Sequence, residues 1–296
     1  MKIVILTLEP GHSNTRSDAP MYSWAVRELG AEVKHYKNNI NSIDPLCDGA
    51  DVVVHSTMPY GPHHVNDGDI QRAKSHCGRL VGLVSDAGDW RGPGADGFKT
   101  WRDENVYSAV VNIDGNPDWP HREGIDWTAF GIFDSLPWEN RNISRTRRLG
   151  YAGAVGDKAV HRRPRIMQSL TDMGVLITSD LRYGCPFQQY IDWTLGCYTI
   201  VNTAWTGSGN AMHVKGRVNE AILGGCLLFE TRSSPTALYL DPDEDYIEFS
   251  SPLEIAEEMN KPNFESKALE MGAATRAKML GEYGPERFWQ RVMGAT

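Results

Sequence analysis

The sequence predicts an α/β chain made of two Rossmann-like domains whose parallel sheets face each other across a cleft. Three observations predict it. Short, near-continuous apolar runs rich in β-branched residues recur along the chain, as strands buried on both faces require. Segments with helical spacing separate them, which is the pattern of βαβ units. The whole order then begins again after residue 148.

Residues 2–8 form the first strand. The apolar run stops at Glu9 and no small-residue cleavage site follows, so the start reads as a strand and a loop, not a signal peptide. In residues 20–30, Met21, Trp24, Ala25 and Leu29 share one helical face, and Gly30 is a C-terminal stop. Strands follow at 32–36 and 51–55, a helix at 69–76, and strands at 80–85 and 106–113. Residues 86–140 are rich in Gly, Pro, Asp and Trp and read as long loops and short helices. Most of their indoles (Trp90, Trp101, Trp119, Trp127, Trp138) belong in a core; the alternative is that one or two line a cleft and stack on a sugar or base. The second half predicts strands at 149–153, 175–178, 197–202, 226–230 and 246–249. Helices are predicted at 163–173, 186–195, 214–223, 253–259, 265–282 and 285–293. A hinge at 138–147 gives domains at 1–140 and 147–282, with a closing helix in 283–296 that packs back on the first.

The 296 residues are 41% hydrophobic and 23% charged, a globular composition that excludes disorder, collagen and coiled coil. A net charge of −8 argues against a generally basic nucleic-acid binder. Five cysteines with no CxxC pair argue against a disulfide framework or zinc knuckle and for a reducing compartment. No apolar run is long enough to span a bilayer, so the expectation is a soluble cytoplasmic protein. Charge is uneven: residues 1–140 carry the whole net −8. Eight cations (Arg141, Arg145, Arg147, Arg148, Lys158, Arg162, Arg163, Arg165) crowd into 141–165 against Asp157 alone. They read either as a solvated surface or, preferred here, as an anion site at the interdomain cleft.

The segment TGSGNAMHVKGRVNEAILGGCLLFE, residues 206–230, reads as a glycine-rich loop, a helix, a Gly-Gly turn and a buried strand. Backbone N–H groups of Gly207, Ser208 and Gly209 can approach an anion closely. Lys215 and Arg217 sit in the first helical turn, where cations oppose the macrodipole unless a phosphate offsets them. Glu220 needs a partner in an otherwise apolar helix half, and a ribose diol offers two hydroxyl donors. The plainer alternative is an Arg217–Glu220 surface pair worth a few tenths of a kcal/mol.

This segment, with Tyr246-Ile247-Glu248-Phe249 and the helix at 252–259, resembles glycosyltransferases of the two-domain GT-B fold. Within them it is similar to the spore-maturation-type and phage-borne group with an R-V-x-E-A-x-x-x-G-G signature. YAGAVGDKAVHRRPRIMQSL, which opens the second half, resembles the same group. The resemblance covers residues 148–293 and implies a nucleotide-sugar donor, UDP-linked, with no other cofactor and no metal. It implies Glu220 on the donor ribose, Lys215 and Arg217 facing the diphosphate, and Gly209 and Asn210 beside them. Gly153 would let the donor approach the backbone, and Arg162 or Arg163 would add a cation. Many retaining relatives carry a second carboxylate eight residues before the helix glutamate. Met212 stands there in this sequence, so the resemblance assigns no stereochemistry.

The catalytic base is sought in the first domain. Asp86 follows a strand at the carboxyl edge where α/β sites form, and His12 and Asp18 are the next candidates. Asp89 and His55 compete, and a loop cap is the plain reading of each. Asp67-Gly68-Asp69 has a metal-type spacing but precedes a helix, so N-capping accounts for it. The expected function is metal-independent sugar transfer from a nucleoside-diphosphate sugar to an acceptor hydroxyl. The acceptor is left open between a small molecule, a glycan, a protein and hydroxymethylated DNA. A nucleotide-sugar epimerase and a non-catalytic nucleotide-sugar or nucleic-acid binding module on the same fold are the alternatives.

Overall fold

The computed structural model describes residues 1–8, 15–36, 44–56, 67–84, 106–113, 115, 126–131, 133–152, 162–175, 177–179, 186–205 and 212–294. The chain divides into two compact units, Met1–Asp134 with Pro285–Thr296, and Ser135–Gly284. Residues 135–146, which include most of the sequence-predicted hinge, cluster with the second unit.

The first unit is built on a six-stranded parallel sheet. Its strands are β1 (Ile3–Leu8), β2 (Glu32–Tyr36), β3 (Ala50–Ser56), β4 (Cys77–Val84), β5 (Ala109–Asn112) and β6 (Trp127–Thr128), in the order β2-β1-β3-β4-β5-β6. The chain leaves β1 in one direction to reach β2 and returns past it to β3, so the switch of direction falls between β1 and β3. Helices α1 (Thr15–Leu29), α2 (Asp44–Cys47), α3 (Asp67–Ser75) and α9 (Pro285–Val292) belong to this unit. Helix α1 begins five residues before Pro20, so the proline does not mark its start. The strand expected over 106–113 is confined to Ala109–Asn112. Helix α2 and the two-residue β6 were not legible, being too short to show a period. Helix α9 buries Phe288, Trp289 and Val292, and Arg79 donates to its Val292 carbonyl at 2.8 Å.

The core of this unit contains a titratable group. His55 is fully buried, with Nε2 3.0 Å from the Tyr36 hydroxyl and Nδ1 2.6 Å from the Tyr107 hydroxyl. Each ring nitrogen is thus within hydrogen-bond reach of a phenol, which can donate to it or accept from it. Burial lowers its pKa to about 4. His55 is therefore a core residue, which corrects its reading from the sequence as a competing base.

The second unit holds a five-stranded parallel sheet. Its strands are β7 (Arg147–Ala152), β8 (Ile177–Ser179), β9 (Cys197–Val201), β10 (Leu227–Thr231) and β11 (Ile247–Phe249), in the order β11-β10-β9-β7-β8. Helices α4 (Arg162–Asp172), α5 (Phe187–Leu195), α6 (Gly216–Leu223), α7 (Pro252–Met259) and α8 (Phe264–Glu282) belong to it. Leu149, Tyr151, Val201, Leu227, Phe229 and Phe249 pack with Met167, Ile255, Phe264 and Ala268 into one core. The turn from α6 into β10 is fixed by glycine. Gly225 has φ +61°, and a Cβ on Gly272 of α8 would collide with the Gly225 carbonyl oxygen. The helix can lie that close to the turn only without a side chain there.

His55 makes stability depend on pH with a defined sign. The unfolded histidine titrates near 6.5 and the folded one near 4, so the unfolded state binds more protons between those values. This contribution is complete above pH 6.5, falls as pH drops towards 4, and totals about 3 kcal/mol. Urea unfolding at a series of pH values should therefore show a shallower slope between pH 6.5 and 4 for His55→Gln than for the native chain. Identical slopes would reject the assignment.

Candidate functional site

Several buried polar side chains of the second unit lie at the carboxyl edge of its sheet. β7 ends beside Tyr151, β9 runs out into Asn202, Thr203 and Ala204, and β10 ends at Glu230 and Thr231. Helix α6 starts at this edge because it must run back to enter β10 from the far side. Lys215 is its N-cap, with extended backbone (φ −71°, ψ 149°) and a half-buried side chain, and Arg217 lies in the first turn.

The Arg217 guanidinium lies over the Tyr151 ring, 4.3 Å from its centroid, and donates to Asn202 Oδ1 at 2.9 Å. Asn202 Nδ2 in turn donates to Glu230 Oε2 at 2.7 Å, and the Thr231 amide donates to Glu230 Oε1 at 2.7 Å. A guanidinium and a carboxylate are thus joined through one amide. Glu230 is fully buried, and burial raises its pKa to about 7. The hydrogen bonds from Asn202 and the Thr231 amide, with the charges of Arg217 and Lys215, pull it the other way.

Glu220, one turn further along α6, is also buried and accepts a hydrogen bond from the Tyr190 hydroxyl. Tyr190 belongs to α5 and stacks on Phe187, with ring centroids 6.4 Å apart. The surface reading of an Arg217–Glu220 pair is corrected: Glu220 is buried, and Arg217, which feels its charge, contacts Asn202 and Tyr151. Arg163, at the start of α4, donates to Thr203 Oγ1 at 3.1 Å and to the Trp205 carbonyl at 2.9 Å. It ties α4 to the segment after β9. An isolated bridge between Trp205 and Met212 closes the stem of the glycine-rich loop.

Of the donor residues expected from the sequence, Lys215, Arg217, Glu220 and Arg163 thus meet at one sheet edge. Gly153, Gly209 and Asn210 lie outside the described residues. So do the candidate bases Asp86 and His12, with Asp89. Asp18 falls in α1 and Arg162 in α4, and the side chains of both lie outside the described part. Tyr151, Tyr190, Asn202 and Glu230 were missed as site residues. Glu230 did leave a signal, a carboxylate closing an otherwise apolar strand. The tyrosines left none, because a buried aromatic has the same pattern whether or not its hydroxyl is used.

The arginine cluster is corrected as a single anion site. Arg145 donates to the Cys197, Gly224 and Gly225 carbonyls, and Arg141 pairs with Asp192 and donates to the Pro137 carbonyl. Arg148 donates to the Met259 carbonyl and pairs with Glu265, and Arg147 lies over Trp193. Arg141 and Arg145, with Arg276, line a cavity of about 840 Å³ at the amino edge of the sheet, opposite the site. Arg145 thus serves carbonyls just past the end of α6, and Arg148 the last carbonyl of α7. Among the described residues, no group of three or more His, Cys, Asp or Glu side chains is placed to hold a metal ion. Nor is any helix among them long and apolar enough to cross a membrane.

No protein-family model matches the chain, and no curated protein matches it by sequence. Solved structures do resemble it. One is an alpha-glucosyltransferase in complex with UDP and a 13-mer DNA containing a central A:G mismatch, at 9% identity over 99% of this chain and 100% of that one, with a TM-score of 0.61. Another is HepE of Anabaena in complex with UDP-glucose, at 10% identity over 99% and 98%, TM-score 0.56. A third is sucrose-phosphate synthase of Thermosynechococcus elongatus, at 8% identity over 100% of both chains, TM-score 0.55. At such identities the likeness shows the fold, which is the two-domain GT-B fold of these transferases.

The Tyr190 hydroxyl is a buried donor to a buried carboxylate. Tyr190→Phe keeps the ring on Phe187 and should cost about 1–3 kcal/mol of stability, measured by denaturant unfolding of the purified chain. An unchanged midpoint would mean that Glu220 is held by other groups.

Proposed function

We propose that the protein is a glycosyltransferase that moves a sugar from a UDP-linked donor to an acceptor hydroxyl. The observation that carries this is the set of Tyr151, Arg217, Lys215 and Glu220 at the carboxyl edge of the second sheet, where α6 begins. A parallel sheet takes its ligand at that edge. The start of α6 lies at that edge, and the positive end of a helix dipole attracts an anion. Two cations placed against the macrodipole there are stabilised once a diphosphate sits between them. Glu220 would accept from the ribose hydroxyls. In this reading the second unit binds the donor and the first, with Asp86, His12 or Asp18 as base, receives the acceptor. Arg162 or Arg163, Gly153, Gly209 and Asn210 would complete the donor contacts. The neighbours of like fold that were solved with UDP or UDP-glucose support the choice of donor. Closure over the donor would exclude water and suppress hydrolysis. Neutralisation of the leaving diphosphate by Arg, Lys and a helix terminus needs no metal.

A DNA hydroxyl is a second reading of the acceptor, favoured by the neighbour that holds both UDP and DNA. The arginine run no longer supports it, since Arg141, Arg145 and Arg148 are bound to carbonyls and carboxylates of their own unit. A low-salt gel shift with plain and hydroxymethylated duplexes separates the acceptors, because phosphate contacts weaken steeply with salt. Binding to neither, with donor hydrolysis intact, removes DNA.

Donor binding is the direct test of the transferase reading. Calorimetry should detect UDP binding, and Glu220→Gln should weaken it by about 1.5–3 kcal/mol with the fold intact. An unchanged titration would remove Glu220 from the donor site. Interconversion of free nucleotide sugars with no acceptor present would instead make the protein an epimerase. Binding without hydrolysis or transfer would make it a binding module.

A further inference from the structure

We infer that Glu230 is a positioning residue for the donor diphosphate, acting through Asn202 on Arg217, and that nucleotide binding draws a proton onto its carboxylate. The inference rests on the donor site proposed above.

The geometry is a chain of fixed links. The Asn202 amide spends its oxygen on Arg217 and its nitrogen on Glu230. An amide held at both ends cannot flip without losing both bonds, so Glu230 sets which end faces the guanidinium. Arg217 is clamped from below by the Tyr151 ring. Its fork therefore points where Glu230 and Asn202 direct it.

Charge couples the same links to a ligand. Among the described residues, the charged and titratable groups around Glu230 are Lys215 and Arg217 at the start of α6, Tyr246 just before β11 and Glu248 on it; the neutral Asn202 follows β9. The charges of Arg217 and Lys215 offset part of the cost of burying this carboxylate. A bound diphosphate takes up those cations and adds like charge nearby, in surroundings too dry to screen it. The carboxylate then takes a proton from bulk water and returns it when the nucleotide leaves. Because the free carboxyl titrates near 7, the change falls within the working pH range. A group whose pKa rises on binding makes affinity fall as pH rises through that pKa.

The test is UDP titration by calorimetry at pH 7.5 in two buffers of different ionisation enthalpy, on the native chain and on Glu230→Gln. Protonation of UDP itself contributes to both and cancels in the difference. The native chain should take up roughly half a proton more than the variant, as a one-unit rise from about 7 gives at that pH. Its Kd should also loosen more steeply between pH 6.5 and 8.5. A purely structural carboxylate would not move the proton count, so UDP binding with equal counts overturns the inference and leaves the donor site standing. Absence of UDP binding to the native chain removes the donor site, and this inference with it. Should Glu230→Gln fail to fold, carboxyl-carbon NMR of glutamate-labelled native protein reads the same quantity. An upward shift of the Glu230 titration on saturation with UDP supports the inference, and an unmoved one overturns it.

Discussion

A guanidinium and a carboxylate joined through one amide set the order of the carboxyl edge in the second unit. Arg217, Asn202 and Glu230 come from three consecutive segments of chain, the first turn of α6, the end of β9 and the end of β10. Removing any one leaves a buried polar group without its partner, which costs about 1–3 kcal/mol and more when the group is charged. The bonds therefore hold the register in which β9 and β10 run out of the sheet and the height at which α6 starts. Glu220 and Tyr190 extend the arrangement to α5 by the same logic, a buried carboxylate answered by a buried donor.

The opposite edge of that sheet uses charge differently. There α6 ends and β9 begins, and carbonyls at that turn need donors. Arg145 alone reaches the Cys197, Gly224 and Gly225 carbonyls, and Arg276 reaches that of Leu223. A guanidinium suits this task because its five N–H groups fan out in a plane and bridge several carbonyls at once. A run of arginines in the sequence thus divides by location. Arg163 serves the carboxyl edge, and Arg141 and Arg145 the amino edge. Linear proximity concealed the division, because a parallel strand of six residues carries the chain from one edge of the sheet to the other.

What was legible in the sequence follows from the same geometry. Parallel strands buried on both faces must be apolar throughout, so β1, β3, β9 and β10 stood out and their helices fell between them. The Gly224-Gly225 turn was legible because φ +61° at Gly225 favours glycine. Lys215, Arg217 and Glu220 were legible as an anomaly, two cations at a helix start and a carboxylate in its apolar half. Asn202 was not, since it was read as the last residue of a strand over 197–202, and nothing in that pattern marks its amide as a link between two charges. His55 was misjudged for a related reason. Its position after an apolar strand matched that of a catalytic base, while Tyr36 and Tyr107, which satisfy both its nitrogens, lie 19 and 52 residues away.

His55 and Glu230 show how burial alone does not decide what a titratable group can do. Both are fully buried, and in both burial favours the neutral form, lowering the histidine to about 4 and raising the glutamate to about 7. The histidine's two phenol partners carry no charge, so burial acts unopposed and the ring is uncharged throughout the physiological range. The glutamate accepts two N–H bonds and lies near two cations, which favour its charged form and oppose burial. Neither influence wins outright, and the balance falls close to neutral pH. Only a group held at such a balance changes its proton occupancy when a modest charge arrives beside it. The second sheet therefore carries at its carboxyl edge a group that a bound anion can titrate, and His55 in the first unit is not one.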